Sequence, residues 1–417
     1  MKSKIYNFLL VLLLTFIFAC TDDGLVDPPA EEIKSRGDII SSNLLYEYNI
    51  DFISSFFNVL AAQADTSIDL NPIYSIKVYK IVYETIDAKG NSTEASGSIY
   101  IPIGINNIPI LSAHHGTQTN RNRVGSVSPI NAPEGILAGT MGYYGVVPDY
   151  LGLGESQILH PYLHEKSSAT CVIDLLRAAK IFAAQNNIQI NGQLFLAGYS
   201  EGGFVTMAAH KEIEANYSNE FTVTASAPMS GSYDLNLTAK TIIDKEIYNE
   251  PSFLAFLIVS YNEIYGWSRL PEIFQSQYSN IVTGLFYGSK TTDEINGFLT
   301  DKVSDLFKPE FVSNYLSGND MQLNSAFSEN SLLNWTPIAP MKLFHGTADE
   351  FVPYENSLIA VHGFNMRGST NIELVSIEGG THATAAIPSL IGAAAWFNTF
   401  KNQNSSPKIS EFILSAK

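Results

Sequence analysis

Gln193-Leu194-Phe195-Leu196-Ala197-Gly198-Tyr199-Ser200-Glu201-Gly202-Gly203-Phe204-Val205 holds a short apolar run, a glycine-flanked serine and the start of a helical pattern. The run from Gln193 to Ala197 has the length and apolar character of a buried strand, and Gly203 to Asn216 keeps helical periodicity. A serine between them sits on a sharp strand-to-helix turn, which lifts its hydroxyl clear of the sheet. Gly198 and Gly202 remove side chains where the strand and helix would collide. The bare G-x-S-x-G pattern is weak evidence of anything, and the strand before and helix after it are what give it meaning.

Reading outward from this turn, short buried-type strands recur at Pro109 to Ala113, Tyr143 to Pro148, Phe221 to Ala227, Met341 to His345 and Asn371 to Ile377. Helical patterns fall between them, at Ser168 to Gln185, Gly203 to Asn216 and Ile387 to Lys401. Upstream, Tyr74 to Glu84 and Thr93 to Ile101 flank the turn residues Asp87-Ala88-Lys89-Gly90-Asn91 and read as a hairpin, preceded by a helical stretch at roughly 40 to 62. An antiparallel entry followed by βαβ units predicts an α/β fold with a mostly parallel central sheet and helices on both faces. More than a hundred residues separate Ala227 from Met341, far beyond an ordinary crossover. Aromatic-rich helical pieces fill that interval, including Pro251 to Leu257 and Glu294 to Val303, so residues 235–335 read as an inserted helical cap on a core of 41–234 and 336–417.

A serine hydroxyl needs a base, and the base needs a carboxylate to fix its tautomer and offset its transient charge. His382 lies in the glycine-flanked loop Glu378-Gly379-Gly380-Thr381-His382 after the last predicted strand. Asp349 follows the strand at Met341 in His345-Gly346-Thr347-Ala348-Asp349-Glu350, with Glu350 as the rival carboxylate. The candidate nucleophile, acid and base are therefore Ser200, Asp349 and His382. Backbone N–H groups must also face the oxyanion. Glu201 supplies one by following the serine, and Thr117, in the loop His114-His115-Gly116-Thr117, is the expected second.

Two histidine pairs, His114-His115 and His160-Pro161-Tyr162-Leu163-His164, raise metal chemistry, since i, i+4 histidines on a helix can share a ligand face. Pro161 interrupts regular helix and no H-E-x-x-H is present, so neither a metal nor any other cofactor is expected. The net charge of -17 and the absence of a Lys/Arg stripe argue against a nucleic-acid partner. Of two cysteines, Cys171 opens an apolar helix with no base nearby in sequence and reads as a buried, inert thiol.

Met1-Lys2-Ser3-Lys4 followed by the apolar run Phe8 to Ala19 reads as an export signal, too short to span a bilayer. Ile17-Phe18-Ala19-Cys20 is similar to a lipoprotein cleavage site, which assigns 1–19 to the signal, an acylated Cys20 to the mature N-terminus and 20–40 to a polar tether. The expected location is the bacterial outer membrane or cell surface, with the membrane as a partner through the anchor, or the periplasm or medium if Cys20 is incidental.

Ala113-His114-His115-Gly116-Thr117, the run Val147-Pro148-Asp149-Tyr150-Leu151-Gly152-Leu153-Gly154-Glu155-Ser156, His160-Pro161-Tyr162-Leu163 and Gly198-Tyr199-Ser200-Glu201-Gly202-Gly203 together resemble the secreted lipase/esterase group of the α/β-hydrolases. The likeness extends from about 75 to 400 and is nearest to the cell-wall-degrading secreted esterases of plant-pathogenic bacteria. It implies a carboxylesterase or lipase acting on an ester substrate, lipid or acylated polymer fragment. His115, Gly116, Tyr150 and Tyr199 would line the substrate site, and Asp149 with Tyr150 would shape the loop beneath it. Two other readings stay open: a serine peptidase of the prolyl-oligopeptidase type, although no propeller repeat precedes the core, and a non-catalytic glycan- or lipid-binding lipoprotein.

Overall fold

The computed structural model describes residues 35–63 and 72–401. The apolar start, Cys20 and most of the expected tether lie outside the described residues. Nine strands form one sheet in the order β1-β2-β3-β5-β4-β6-β7-β8-β9. They are β1 (Ile39–Tyr48), β2 (Ile76–Ile86), β3 (Ser92–Pro102), β4 (Ile108–His114), β5 (Tyr144–Pro148), β6 (Ile190–Tyr199), β7 (Val223–Met229), β8 (Met341–Gly346) and β9 (Ile372–Ile377). The β1-β2, β2-β3 and β3-β5 pairings are antiparallel, and the pairings from β5 through β4 to β9 are parallel. The architecture is the expected α/β one, an antiparallel entry leading into a parallel core.

One expectation is corrected at the entry. The helical stretch anticipated over 40–62 is a strand, β1, followed by helix α1 (Ile50–Gln63). Most of β1 is exposed and its pairing with β2 slips at two places, so the period-2 alternation that marks a half-buried strand never develops. As an edge strand it is held by backbone pairing on one side only.

Alternation in the central strands sets the two faces. Leu194 and Leu196 of β6 point into the layer built by α3 (Glu165–Gln185) and α4 (Glu201–Asn216), which follow α2 (Pro133–Thr140) in the chain. Phe195 and Ala197 point to the opposite layer with Ala138 of α2 and with Phe397, near the end of the chain. Cys171 is 1 % exposed and its thiol donates to the Ser168 carbonyl at 3.2 Å, while burial pushes its ionisation far up, so it is the inert core thiol expected.

Between β7 and β8 the chain is helical, in α5 (Leu235–Ile243), α6 (Pro251–Ile264), the short helices α7 (Leu270–Ile273), α8 (Ser276–Ser279), α9 (Val282–Leu285), α10 (Thr292–Asn296) and α11 (Val303–Leu306), then α12 (Pro309–Leu316) and α13 (Met321–Glu329). The helical run anticipated over Glu294 to Val303 is two separate turns, because the capping box of Thr291 and Glu294 starts a helix that ends by Gly297. These elements bury one large apolar cluster together with Phe204 and Met207 of α4. Phe256 stacks between Tyr162 and Phe286, with ring centroids 4.7 and 4.6 Å away, each pair contributing about 1 kcal/mol beyond its buried area. After β8, α14 (Glu355–Met366) and α15 (Ala386–Asn398) complete the fold.

Candidate active site

Ser200 occupies the turn between β6 and α4 with φ 62 and ψ -122, a backbone conformation that L-residues hold only under constraint. The constraint is visible: its N–H donates to the Met229 carbonyl on β7 at 2.9 Å, and Gly202 packs so closely on His114 that a Cβ there would meet the His114 carbonyl. The strained turn leaves the serine side chain at the C-terminal edge of the parallel strands, where open α/β sheets gather their sites.

Two loops from the same edge reach it. His382, after β9, places Nε2 2.9 Å from Ser200 Oγ, so the hydroxyl donates to the imidazole. Its Nδ1 lies 2.7 Å from Asp349 Oδ2, which requires the proton on Nδ1 and leaves Nε2 free to accept. Asp349 is fully buried at its side chain, and its Oδ1 accepts the Phe351 and Val352 N–H groups at 3.0 and 2.8 Å. Burial opposes its charge, but hydrogen bonds from His345 and His382 outweigh it and hold the carboxyl well below the usual range. Glu350 meets the same histidine elsewhere, accepting the His382 backbone N–H at 3.0 Å. The tautomer-fixing contact therefore falls to Asp349.

Glu201 opens α4, so its N–H is one of the helix's unpaired first-turn donors beside Ser200. Across the serine, Gly116 packs against Ser200, a Cβ there lying 3.7 Å from the serine Cβ. The Thr117 N–H meets no acceptor among the described residues. His115 Nδ1 sits 2.7 Å from the Gly116 carbonyl and its Nε2 3.2 Å from the Asp149 carbonyl. Because the peptide is trans, holding the Gly116 carbonyl on the His115 side turns the Thr117 N–H the other way.

The residues expected to touch substrate divide into two groups. Gly116 backs the serine, and half-buried Tyr199 donates its hydroxyl to the His382 carbonyl at 2.7 Å. His115 and Tyr150 are buried, stacked with centroids 4.1 Å apart, and Tyr150 donates to the His115 carbonyl at 2.9 Å, so their polar atoms hold the loop. Asp149 lies beneath them, accepting from the Ser96 hydroxyl at 2.6 Å and the Ser126 N–H at 3.2 Å. Gly152, with φ 82, lets the His160 backbone pass where a Cβ would collide.

The histidines of the 160–164 stretch serve separate ends. His164 caps α3 and accepts the Ser167 N–H, whereas His160 Nε2 lies 2.7 Å from Glu201 Oε1. Among the described residues no cluster of His, Cys, Asp or Glu could hold a metal ion. From the sequence Glu201 offers only its backbone N–H, and the pairing of its side chain with His160, 41 positions away, has no local signature.

A cavity of ≈ 470 Å³, its opening included, starts at Ser200 and Glu201 and runs under Tyr162, Phe253, Leu257 and Phe351 to Ile242, Tyr248 and Leu254. A larger one of ≈ 640 Å³ lies between β4, β6, α2 and α15 and does not reach the serine. The first can hold an apolar group against a serine already hydrogen-bonded to its base.

In sequence and fold the chain is similar to known proteins. The Xanthomonas oryzae rice cell wall degrading esterase LipA superimposes with TM-score 0.78 and 30% identity, covering 88% of this chain and 98% of that one. A hydrolase-type protein of Legionella pneumophila does so with TM-score 0.81 and 28% identity, over 88% of this chain and 100% of that one. Lipase 10 of Candida albicans is 21% identical over 273 residues, 62% of this chain, and the match spans 55% of that lipase's length. Residues 136–407 match the secretory lipase profile, more than half of the sequence. The chain belongs to the secretory lipase family.

Proposed function

We propose that this protein is a serine hydrolase that cleaves carboxylic esters through an acyl-enzyme. The observation that carries the reading is the unbroken line Asp349–His382–Ser200, at 2.7 and 2.9 Å, on a strained elbow open to a cavity. Ser200 Oγ attacks the ester carbonyl while His382 Nε2 takes its proton, and Asp349 offsets the imidazolium without itself being protonated. The Glu201 and Thr117 N–H groups receive the oxyanion, each donor worth roughly a hundred- to thousandfold in rate. Collapse expels the alcohol with the proton from His382, and water, activated by the same imidazole, then releases the acid.

The helices of 235–335 act as a cap on a core of 41–234 and 336–417, since α5 and α6 supply one wall of the cavity at Ser200. The acyl group takes this cavity, because it stays bonded to Ser200 while the alcohol must leave. The enzyme is exported and held at the cell surface by acylation of Cys20; among the described residues no helix is long and apolar enough to cross a membrane. No feature of the site favours the peptidase or the non-catalytic reading over ester cleavage.

The test is Ser200→Ala with p-nitrophenyl butyrate. Activity should fall to background with the melting temperature kept, and a fluorophosphonate should label the parent at Ser200 and not the variant. Hydrolysis within tenfold of the parent would remove Ser200 from the chemistry.

A further inference from the structure

Glu201 is a carboxylate placed immediately after the nucleophile, where negative charge develops during the reaction. Its side chain is 1 % exposed, and its Oε2 has no hydrogen-bond partner among the described residues. A lone carboxylate there would repel the oxyanion through a medium that screens poorly. Its Oε1 instead lies 2.7 Å from His160 Nε2, and the other ring nitrogen, Nδ1, lies 2.6 Å from the Leu151 carbonyl. A carbonyl only accepts, so Nδ1 carries a proton, and one further proton lies on the line between Nε2 and Oε1. Imidazolium with carboxylate and imidazole with carboxylic acid are both neutral overall. The pair therefore carries no net charge wherever that proton rests. Tyr150, Tyr162 and Phe256 wall the imidazole off from water, with ring centroids 6.0, 6.0 and 5.6 Å away. Tyr162 also reaches the other expected oxyanion donor, its hydroxyl 2.9 Å from Thr117 Oγ1.

We propose that His160 is a positioning residue for hydrolysis: by pairing with Glu201 it cancels the charge beside the oxyanion and holds the first turn of α4, with its N–H, on the reacting carbonyl. This rests on the ester-hydrolase reading of Ser200. It accounts for why the His-Pro-Tyr run lies where it does, under both expected donors.

His160→Gln keeps a donor for Glu201 but removes the base that shares the second proton, so the carboxylate charge loses its compensation. Its kcat on p-nitrophenyl butyrate should fall roughly a hundredfold, the scale of one lost oxyanion donor. KM should move by less than about threefold, and affinity for an alkyl boronic acid that mimics the tetrahedral state should fall in step with kcat/KM. His160→Gln combined with Glu201→Gln makes both partners neutral and should recover at least tenfold of the loss. A merely structural pair predicts no such recovery, since the double variant repairs charge and not packing. If His160→Gln is too unstable to assay, Glu201→Gln alone and Glu201→Ala take its place. The neutral amide should then retain at least tenfold more kcat than Ala, with KM equal. Equal activity of the double and single variants, or a kcat loss below threefold in His160→Gln, overturns the proposal. If the parent hydrolyses no ester or Ser200→Ala stays active, the reading of Ser200 itself has failed, which these ratios do not touch.

Discussion

Asp349 and Glu350 are adjacent carboxylates on one loop, and residue type cannot separate them. Backbone direction does: Asp349 turns inward to His382 Nδ1 and the Phe351 and Val352 N–H groups, and Glu350 turns toward solvent and takes only the His382 main chain. Asp349→Asn should therefore let the imidazole take the wrong tautomer and cost on the order of ten-thousandfold in kcat. Glu350→Gln should cost less than about tenfold. Steady-state rates on a short-chain ester decide it, and the reverse ranking would make Glu350 the triad acid. Ser200, His382 and Asp349 were legible because each stands in a loop directly after a strand, in an order set by the chain. His160 was not, because its partner is a buried carboxylate 41 positions away.

At the scale of elements, the end of the Ser200 cavity is a wall made by α5, α6 and the segment joining them. Ile242, Tyr248 and Leu254 close it, and the same three side chains line a further cavity, ≈ 190 Å³ with its opening included, that continues to Val303, Leu306 and Phe307. Each methylene that finds apolar room contributes about 0.8 kcal/mol, or roughly fourfold in kcat/KM. Across p-nitrophenyl esters from acetate to palmitate, the parent should rise with chain length and then break sharply at the wall. Leu254→Ala should join the two cavities and raise the decanoate-to-butyrate ratio of kcat/KM by tenfold or more. The ratio is the readout because partial unfolding lowers both esters alike; an unchanged ratio would place the acyl chain elsewhere. The helical interval itself was visible as an overlong gap between strands, but its partition into short helices was not. Nor was β1, since an exposed edge strand lacks the alternation by which strands are recognised.

For the whole molecule, acid should be the more damaging direction. Burial, with His115 adding to it, lowers His114 from its ordinary value to about 3, and burial beside Lys166 lowers His164 to about 4. The unfolded chain takes up these protons below about pH 6.5 and the native state does not, so stability is intact above that pH and is lost as pH falls toward 4. Urea unfolding should show a midpoint that declines from pH 6.5 to 4.5, and His114→Gln should flatten the decline; an unaltered slope would locate the sensitivity in other groups. The proposed anchor gives a second whole-molecule outcome. One acyl chain binds membranes only marginally and two or three bind firmly, so Cys20→Ser should release soluble enzyme with its esterase activity kept. Parent enzyme found free in the medium with Cys20 unmodified by mass spectrometry would exclude the anchor.

Sequence alone determined the parallel α/β core, the strand-to-helix turn at Ser200 and the interval occupied by α5 to α13, and it offered serine, aspartate and histidine in that order as candidates. These follow from local rules: apolar periodicity, turn residues and the sequence of strands along the chain. Tertiary structure decided which of two neighbouring carboxylates meets His382, that His160 meets Glu201, and where the Ser200 cavity ends. Each of these is a side-chain distance across elements that no period relates, and hydrogen bonds and cavities change chemistry over a fraction of an ångström to a few ångströms, a scale on which only packing decides.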